Sequence, residues 1–580
     1  MLSPTTSTKG GYQTILTVLT VCIIAIFTSC GSPHPKADLV IYNANIHTLN
    51  AQQPNASAVA VTAGKIVYVG NNAEAKLYIG EGTNQIDLGG QLLTPGWIES
   101  HGHFMGMGNF KMNLDLTSIN NYDDMVQMVA EAAKEASPGE WITGRGWHQS
   151  KWDKMPDTLI NGFPTHDRIS AVSPNNPVYL KHASGHAGFA NAKAMELAGV
   201  NRLSVESLNS KVEGGEIIKD ELGNPTGVFT ERASALVGRL VPEDTEERAE
   251  QALNMAIQEC LEKGITSFHD AGSGQDFIDR LQRFKEQDKL GIRMYVMLSS
   301  RQPALLENWY ERGPMIDPDH MVTVRSIKLH CDGALGPRGA WLLRAYSDRP
   351  GHFGHETLPM EIVSTVSEKG LELGFQVCSH AIGDRANREV LDRYEAAFKK
   401  FPENNDHRFR IEHAQHLHPD DISRFGELGV IAAMQAIHMS SDRPWAINRL
   451  GRQRIIDGAY VWQSLLQSGA VIINGTDAPV EPVDQLPSFY ASVSRKTLEG
   501  LPEGGYEPDQ AMTREQALRS FTIDAAFGEF DEDFKGSIEL GKAADFTVLD
   551  KDIMTIPEMD ILKTKVQMTI VGGKVLYQAK

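Results

Sequence analysis

The chain has 580 residues, 41% apolar and 22% charged, with 74 acidic against 55 basic side chains and a net charge of −19. That length holds roughly two to four domains with ample material for a large core. The acidity, with no long basic cluster, argues against nucleic acid as a partner and mainly predicts solubility and weak attraction for anionic partners.

In chain order the N-terminus stands apart. Lys9 precedes "ILTVLTVCIIAIFTS", which is followed by Cys30, Gly31 and Ser32. A charged residue, an apolar run and small residues are the layout of an export signal. The run is shorter than the ~20 residues of a spanning helix. "FTSC" resembles a bacterial lipoprotein box, which makes residues 1–29 a signal peptide and Cys30 the lipidated first residue of an exported, membrane-anchored lipoprotein, periplasmic or on the cell surface. Phe27 and Ser29 depart from the commonest form of that box, and an uncleaved N-terminal anchor is the alternative.

Next come "ADLVIYNANIHTLN" and "AVAVTAGKIVYVG", which alternate like strands, the second around the turn Ala63-Gly64-Lys65. The C-terminus repeats the pattern in "VQMTIVGGKVLYQ", after a further strand candidate in "KAADFTVLDKD". The simplest reading is a small β-sandwich domain built from both chain ends, residues 38–95 and 530–580, beside a central domain of residues 96–529. Beyond the signal lie Cys260, Cys331 and Cys378. Three widely spaced cysteines imply no disulfide framework and read as small buried residues.

The centre alternates short apolar runs with helical stretches. Eight strand candidates are "TPGWIESHGH", "GITSFHDAG", "IRMYVMLSS", "VRSIKLHCDG", "GFQVCSHAIGD", "FRIEHAQ", "GVIAAMQAIH" and "AVIINGTDAPV". An α/β fold of the (β/α)8 TIM-barrel type is predicted. A doubly wound open sheet is the structural alternative, but no glycine loop for phosphate stands between a strand and a helix. About 160 residues separate the first two strands. So long a crossover must carry structure of its own, and residues 110–255 are predicted to form an insertion or lid.

Functional groups of such barrels sit at the C-terminal strand ends. There the chain supplies His101 and His103, then Lys328 with His330 and Asp332 on the same alternation, then His380, His413 and Asp477. Neutral imidazoles and a carboxylate suit two divalent metals. A lysine fits beside metals only if neutral or converted by carbon dioxide to an anionic, bidentate carbamate. Its alternative is an ion pair with an acidic neighbour such as Asp332.

These motifs resemble the amidohydrolase superfamily, and closely its family 3 branch of exo-type amidohydrolases that includes the YtcJ-like proteins and N-substituted formamide deformylase. The resemblance rests on "PGWIESHGH", "GRGWHQSKW", "GHAGFANAKA", "GNPTGVFTE", "GITSFHDAG", "VRSIKLHCDGALGPRGA", "SHAIGDRAN", "RIEHAQ", "MQAIHMSSD" and "NGTDAPVEP". It spans about residues 38 to 580. It implies that His101 and His103 bind the more buried metal, that Lys328 bridges as the carbamate, and that His380 and His413 bind the second metal. Asp477 would ligate the first and move protons. Two departures stand out: Glu99 in place of the commoner aspartate, and His330 where an apolar or aromatic residue is usual.

Around this set, Trp147 and His186 of the insertion are candidate substrate contacts, as are Arg338, Gln435, His438 and Arg443 after strand ends four and seven. Packing and loop fixing are the competing roles. His148, His166, His182, His416 and His418 read as surface or structural. The expected activity is metal-dependent hydrolysis of non-peptide carbon–nitrogen bonds, in amide or N-substituted formamide-like substrates. Zinc is the first choice of metal, with iron, manganese or nickel also suited, and the cofactor set is two divalent ions plus the carbamate. The metal would activate water, and Asp477 would carry its proton to the leaving nitrogen. Rival readings are a lactone, ester or cyclic-amide hydrolase or ring deaminase on the same site, and a non-catalytic binding lipoprotein. Such a barrel also admits a homodimer.

Overall fold

The computed structural model describes residues 35–242 and 245–580. The expected signal and Cys30 lie outside the described residues. Among those described, no helix is long and apolar enough to cross a membrane.

Eight strands form the central sheet: β1 (Trp97–Gly102), β2 (Ile265–Ser273), β3 (Arg293–Ser299), β4 (Val322–His330), β5 (Gln376–Ala381), β6 (Arg410–His413), β7 (Ile431–Met434) and β8 (Ile472–Asn474). Each pairs in parallel with the next in sequence, giving a nearly closed barrel. The strands are buried almost throughout, as a parallel sheet covered by helices requires. The helix Glu246–Glu262 shows how the cover is made. Thr245 caps its first turn by accepting from Arg248 N, and Ala249, Leu253, Ala256, Ile257 and Cys260 bury one stripe. Against it packs the helix Phe104–Lys111, close enough that a Cβ on Gly108 would lie 2.0 Å from Ala252 O.

The seam between β8 and β1 is made differently. Past the end of β8, Asp477 N donates to His101 O at 2.8 Å and His103 N to Ala478 O at 2.7 Å. The buried Glu99 carboxylate fills the gap. It accepts from Thr476 N at 2.8 Å, Thr476 Oγ1 at 2.9 Å and His101 N at 3.1 Å. Burial pushes the Glu99 carboxyl up to about 8 against those donors. Gly475 is required here, because a Cβ would lie 2.2 Å from Glu99 Oε1.

Residues 114–231 carry a second, six-stranded sheet. Its apolar side is filled by Leu116, Trp147, Phe163, Phe189 and Val228. The strand Ala187–Ala190 pairs antiparallel with Pro225–Glu231, which brings the residues flanking these strands together. Two further sheets come from the chain ends. One runs Lys65–Gly70, Ala58–Thr62, Leu39–Tyr42, Asn84–Asp87, and the other joins Leu92–Pro95 to Phe546–Leu549 and Val566–Val571. Ile41, Val59 and Ile66 of the first share a core with Leu93, Phe546 and Ile570 of the second. Cys260, Cys331 and Cys378 are buried free thiols.

Candidate active site

Register places the site. Lys328 pairs with Cys378 and Cys378 with Arg410 at one level of the barrel. One step higher, His330 pairs with His380 and His380 with Glu412. His101 and His103 stand at the end of β1, with Asp477 opposite them across the seam. Strict alternation would turn Glu412 and His413 to opposite faces. His413 escapes it with φ +77°, followed by Ala414 at +42°, so both side chains reach the site. Asp477 is also left-handed, at φ +58°. Such conformations cost non-glycine residues of order 1–3 kcal/mol and persist where the surroundings over-determine them.

Three ligand atoms converge. One atom each from His101, His103 and Asp477 lie within 4.8 Å of one another. Asp477 Oδ1 is 3.2 Å from His103 Nε2 and 3.7 Å from His101 Nε2, yet it is buried without a hydrogen bond. Donors gathered around a space with no proton shared between them suit a divalent cation. Although burial opposes it, His103 and His101 hold the Asp477 carboxyl well below its usual range. Burial, and next Lys328, push His101 down to about 4, which keeps the imidazole neutral at pH 7, the form that binds metal.

His380 and His413 lie alongside, with ring centres 4.4 Å apart and His413 4.8 Å from His101. Burial lowers both well below the ordinary histidine value. His413 Nδ1 donates to Gln435 Oε1 at 2.7 Å, which frees Nε2. His380 Nε2 is buried without a hydrogen bond, 3.3 Å from Asp332 Oδ1. These five side chains therefore fit divalent metal. Lys328, 1% exposed, sits among them with Nζ 3.1 Å from His101 Nε2, and burial lowers its amine. No ion pair joins it to Asp332 among the described residues. Asp332 instead accepts the backbone N–H groups of Trp341, Ile382 and Gly383 at 2.9, 3.0 and 2.8 Å, and burial raises it to about 7.

Beneath His101 runs a buried charged chain that sequence reasoning missed. His101 Nδ1 is hydrogen-bonded to Glu412 Oε2. Arg410 Nη2 donates to the same carboxylate at 3.0 Å and to Ser100 O at 2.7 Å. Arg410 Nη1 meets His269 Nδ1 at 3.0 Å, His269 Nε2 lies 3.2 Å from Glu529 Oε1, and Lys535 Nζ lies 2.9 Å from that oxygen. Although burial opposes it, Arg410 and His101 hold Glu412 well below the carboxylate range. A carboxylate on one imidazole nitrogen fixes the tautomer and presents the other nitrogen to a metal.

A cavity of about 50 Å³ opens beside this cluster, lined by His186, His380, His413, His438 and Asp477 and, farther out, by His148, Lys151, Asp442, Trp445 and Glu481. His186 and His438 thus line the cavity. His148, expected at the surface or in a structural role, lines it too. Three other expected contacts sit elsewhere. Trp147 is fully buried in the core against the six-stranded sheet, where its Nε1 donates to Leu180 O at 3.0 Å and its ring meets His182 edge-on. Arg338 pairs with Asp348 at 3.0 Å, and Arg443 with Glu507 at 2.6 Å. Gln435 orients His413.

The sequence model of the amidohydrolase family matches residues 84–577. The chain belongs to that family. It is accordingly a hydrolase acting on carbon–nitrogen bonds. It is similar to the putative amidohydrolase YtcJ of Bacillus subtilis (strain 168), 30% identical over 92% of this chain and 98% of that one. It is also 27% identical to N-substituted formamide deformylase of Arthrobacter pascens, over 93% and 98%. Among solved structures, an uncharacterized metal-dependent hydrolase from Pyrococcus furiosus superposes with a TM-score of 0.68 at 26% identity, covering 89% of this chain and all of that one.

Proposed function

We propose that this amidohydrolase-family enzyme hydrolyses non-peptide amides, N-substituted formamides among them, with Asp477 as the proton carrier. The observation that carries the reading is the convergence of His101, His103 and a buried, hydrogen-bond-free Asp477 oxygen. His101, His103 and Asp477 would hold one divalent ion, and His380 and His413 a second, with zinc the first choice and iron, manganese or nickel also suited. Bound there, the metal supplies Lewis acidity and eases the deprotonation of water. Lys328 would bridge as a carbamate, formed from its neutral amine and carbon dioxide with loss of one proton; its burial among His101, Glu412 and Asp477 supports this.

Asp477 takes a proton from the attacking water as the new carbon–oxygen bond forms. It returns the proton to the nitrogen as the carbon–nitrogen bond breaks, since an amide anion is a very poor leaving group. Glu412 keeps the His101 ring in place throughout, and the insertion at about 110–255 excludes bulk water as a lid. The same reading has residues 38–95 and 530–580 as a β-sandwich domain and the chain exported and lipid-anchored through Cys30. The deformylase relative supports formamides as the first substrates to try.

The test begins with metal analysis of protein purified without chelators, followed by a panel of N-aryl and N-alkyl formamides and acyl amides. About two ions per chain, fewer after Lys328→Ala, and turnover of at least one amide are expected. Asp477→Asn should abolish turnover while at least one ion stays bound. Full activity in that variant would remove Asp477 from the mechanism, and metal-free wild-type protein would remove the reading itself.

A further inference from the structure

The insertion sends two residues into the barrel mouth. Glu231 ends its strand at φ +47° and ψ −128°, a conformation ordinarily left to glycine. Its backbone N donates to His186 O at 2.7 Å, and its carboxylate Oε2 lies 2.8 Å from His186 Nδ1. The other oxygen, Oε1, is buried without a hydrogen bond. It is wedged into the loop that follows β4. A Cβ on Gly333 would lie 2.2 Å from it and one on Gly339 2.1 Å, so a larger residue at either position would displace the carboxylate.

A strained backbone, a buried carboxyl oxygen and a close-fitting slot converge on one act, holding His186. The His186 ring lines the cavity 5.3 Å from the ring of His380. With Nδ1 engaged by Glu231, Nε2 is the atom it offers to an occupant.

We propose that His186 hydrogen-bonds the scissile amide through Nε2 and that Glu231 is the positioning residue that aims it. The insertion then supplies part of the reacting centre as well as a cover. An amide presents both an N–H and a carbonyl oxygen, so an imidazole fixed at this place has a partner in either protonation state. An aligned hydrogen bond of this kind contributes about tenfold to binding. The proposal rests on the metal-centre reading above.

The experiment is calorimetric binding of acetohydroxamate, a small carbonyl chelator of metal sites, to metal-loaded wild-type protein, His186→Gln, Glu231→Gly and the double variant. Glycine suits the backbone at position 231, so the strand end retains its path, and melting curves check each variant. Each single change should weaken binding about tenfold with metal content unchanged. The double should be no weaker than either single, because Glu231 acts only through His186. Unchanged affinity in either single variant would overturn the proposal, as would losses that multiply in the double. Wild-type protein that holds metal but does not bind the probe would overturn it too. Wild-type protein without metal would instead remove the metal-centre reading, and this proposal with it.

Discussion

Two halves of one barrel lumen are filled with opposite chemistries. On the side of β7, β8 and the lower part of β1, Ile98, Ile431, Ala433 and Ile473 pack on Ala525 and Ala526. On the side of β2 and β6 stand His269, Arg410 and Glu412, closed from below by Glu529 and Lys535, all 5% exposed or less. The first half is what barrel packing leads one to expect. The second carries a desolvation penalty that apolar residues of similar volume would not. Its compensation is positional, since the chain ends on the Nδ1 of His101. The contrast teaches that one lumen can divide its labour, one side holding the strands together and the other holding a ligand still.

The sharpest way to break the contrast is Glu412→Gln. Arg410 would be left buried and uncompensated, at a cost of about 3–5 kcal/mol in denaturant unfolding of the metal-free protein. Metal affinity, read by chelator competition, should fall about 10–100-fold because His101 loses its orienting carboxylate.

Farther from the ligands, Glu529 gives the charged half a pH signature. Although burial opposes it, Lys535 and His269 hold Glu529 down to about 2, below its ordinary 4.5. A carboxyl depressed on folding contributes stability that is present above its unfolded pKa and is lost as pH falls through its folded one. The stability difference between wild type and Glu529→Gln should therefore be constant above pH ~5 and shift by about 3 kcal/mol as pH falls from there toward 2. A difference independent of pH would mean that folding leaves the Glu529 carboxyl unshifted, and one that grew as pH rose above ~5 would mean that it is neutral in the folded protein.

The apolar half supplies the smallest effect. Ile473→Val should cost about 1 kcal/mol and leave metal affinity untouched. A metal-affinity change in that variant would erase the distinction between the halves.

Much of the rim was legible in the sequence. Alternation along "VRSIKLHCDG" and "GFQVCSHAIGD" sets Lys328, His330 and His380 on one side, and the strand-end rule gathers them with His101 and His103. Glu412 was not legible, because its neighbour His413 already claimed the inward face, and only a left-handed φ lets both in. Glu231 was hidden for another reason. It meets His186 across an antiparallel pair of strands 45 positions apart in the chain. Trp147 misled, because an aromatic in a glycine-rich motif suits a pocket wall as well as a core. Which face of its strand lies inward is set by Phe163, Phe189 and Val228, which arrive later in the chain.

The seam at Glu99 has a consequence for how the molecule assembles. Its partner Thr476 lies 377 positions away, and His101, His103 and Asp477 straddle the same join. No nascent fragment that ends before Thr476 contains that join, and closing so long a loop is among the slowest steps of folding. A chain that has not reached Asp477 lacks one of the three ligands proposed for its first ion, so metal uptake would report barrel closure: loading waits until the eighth strand has found the first.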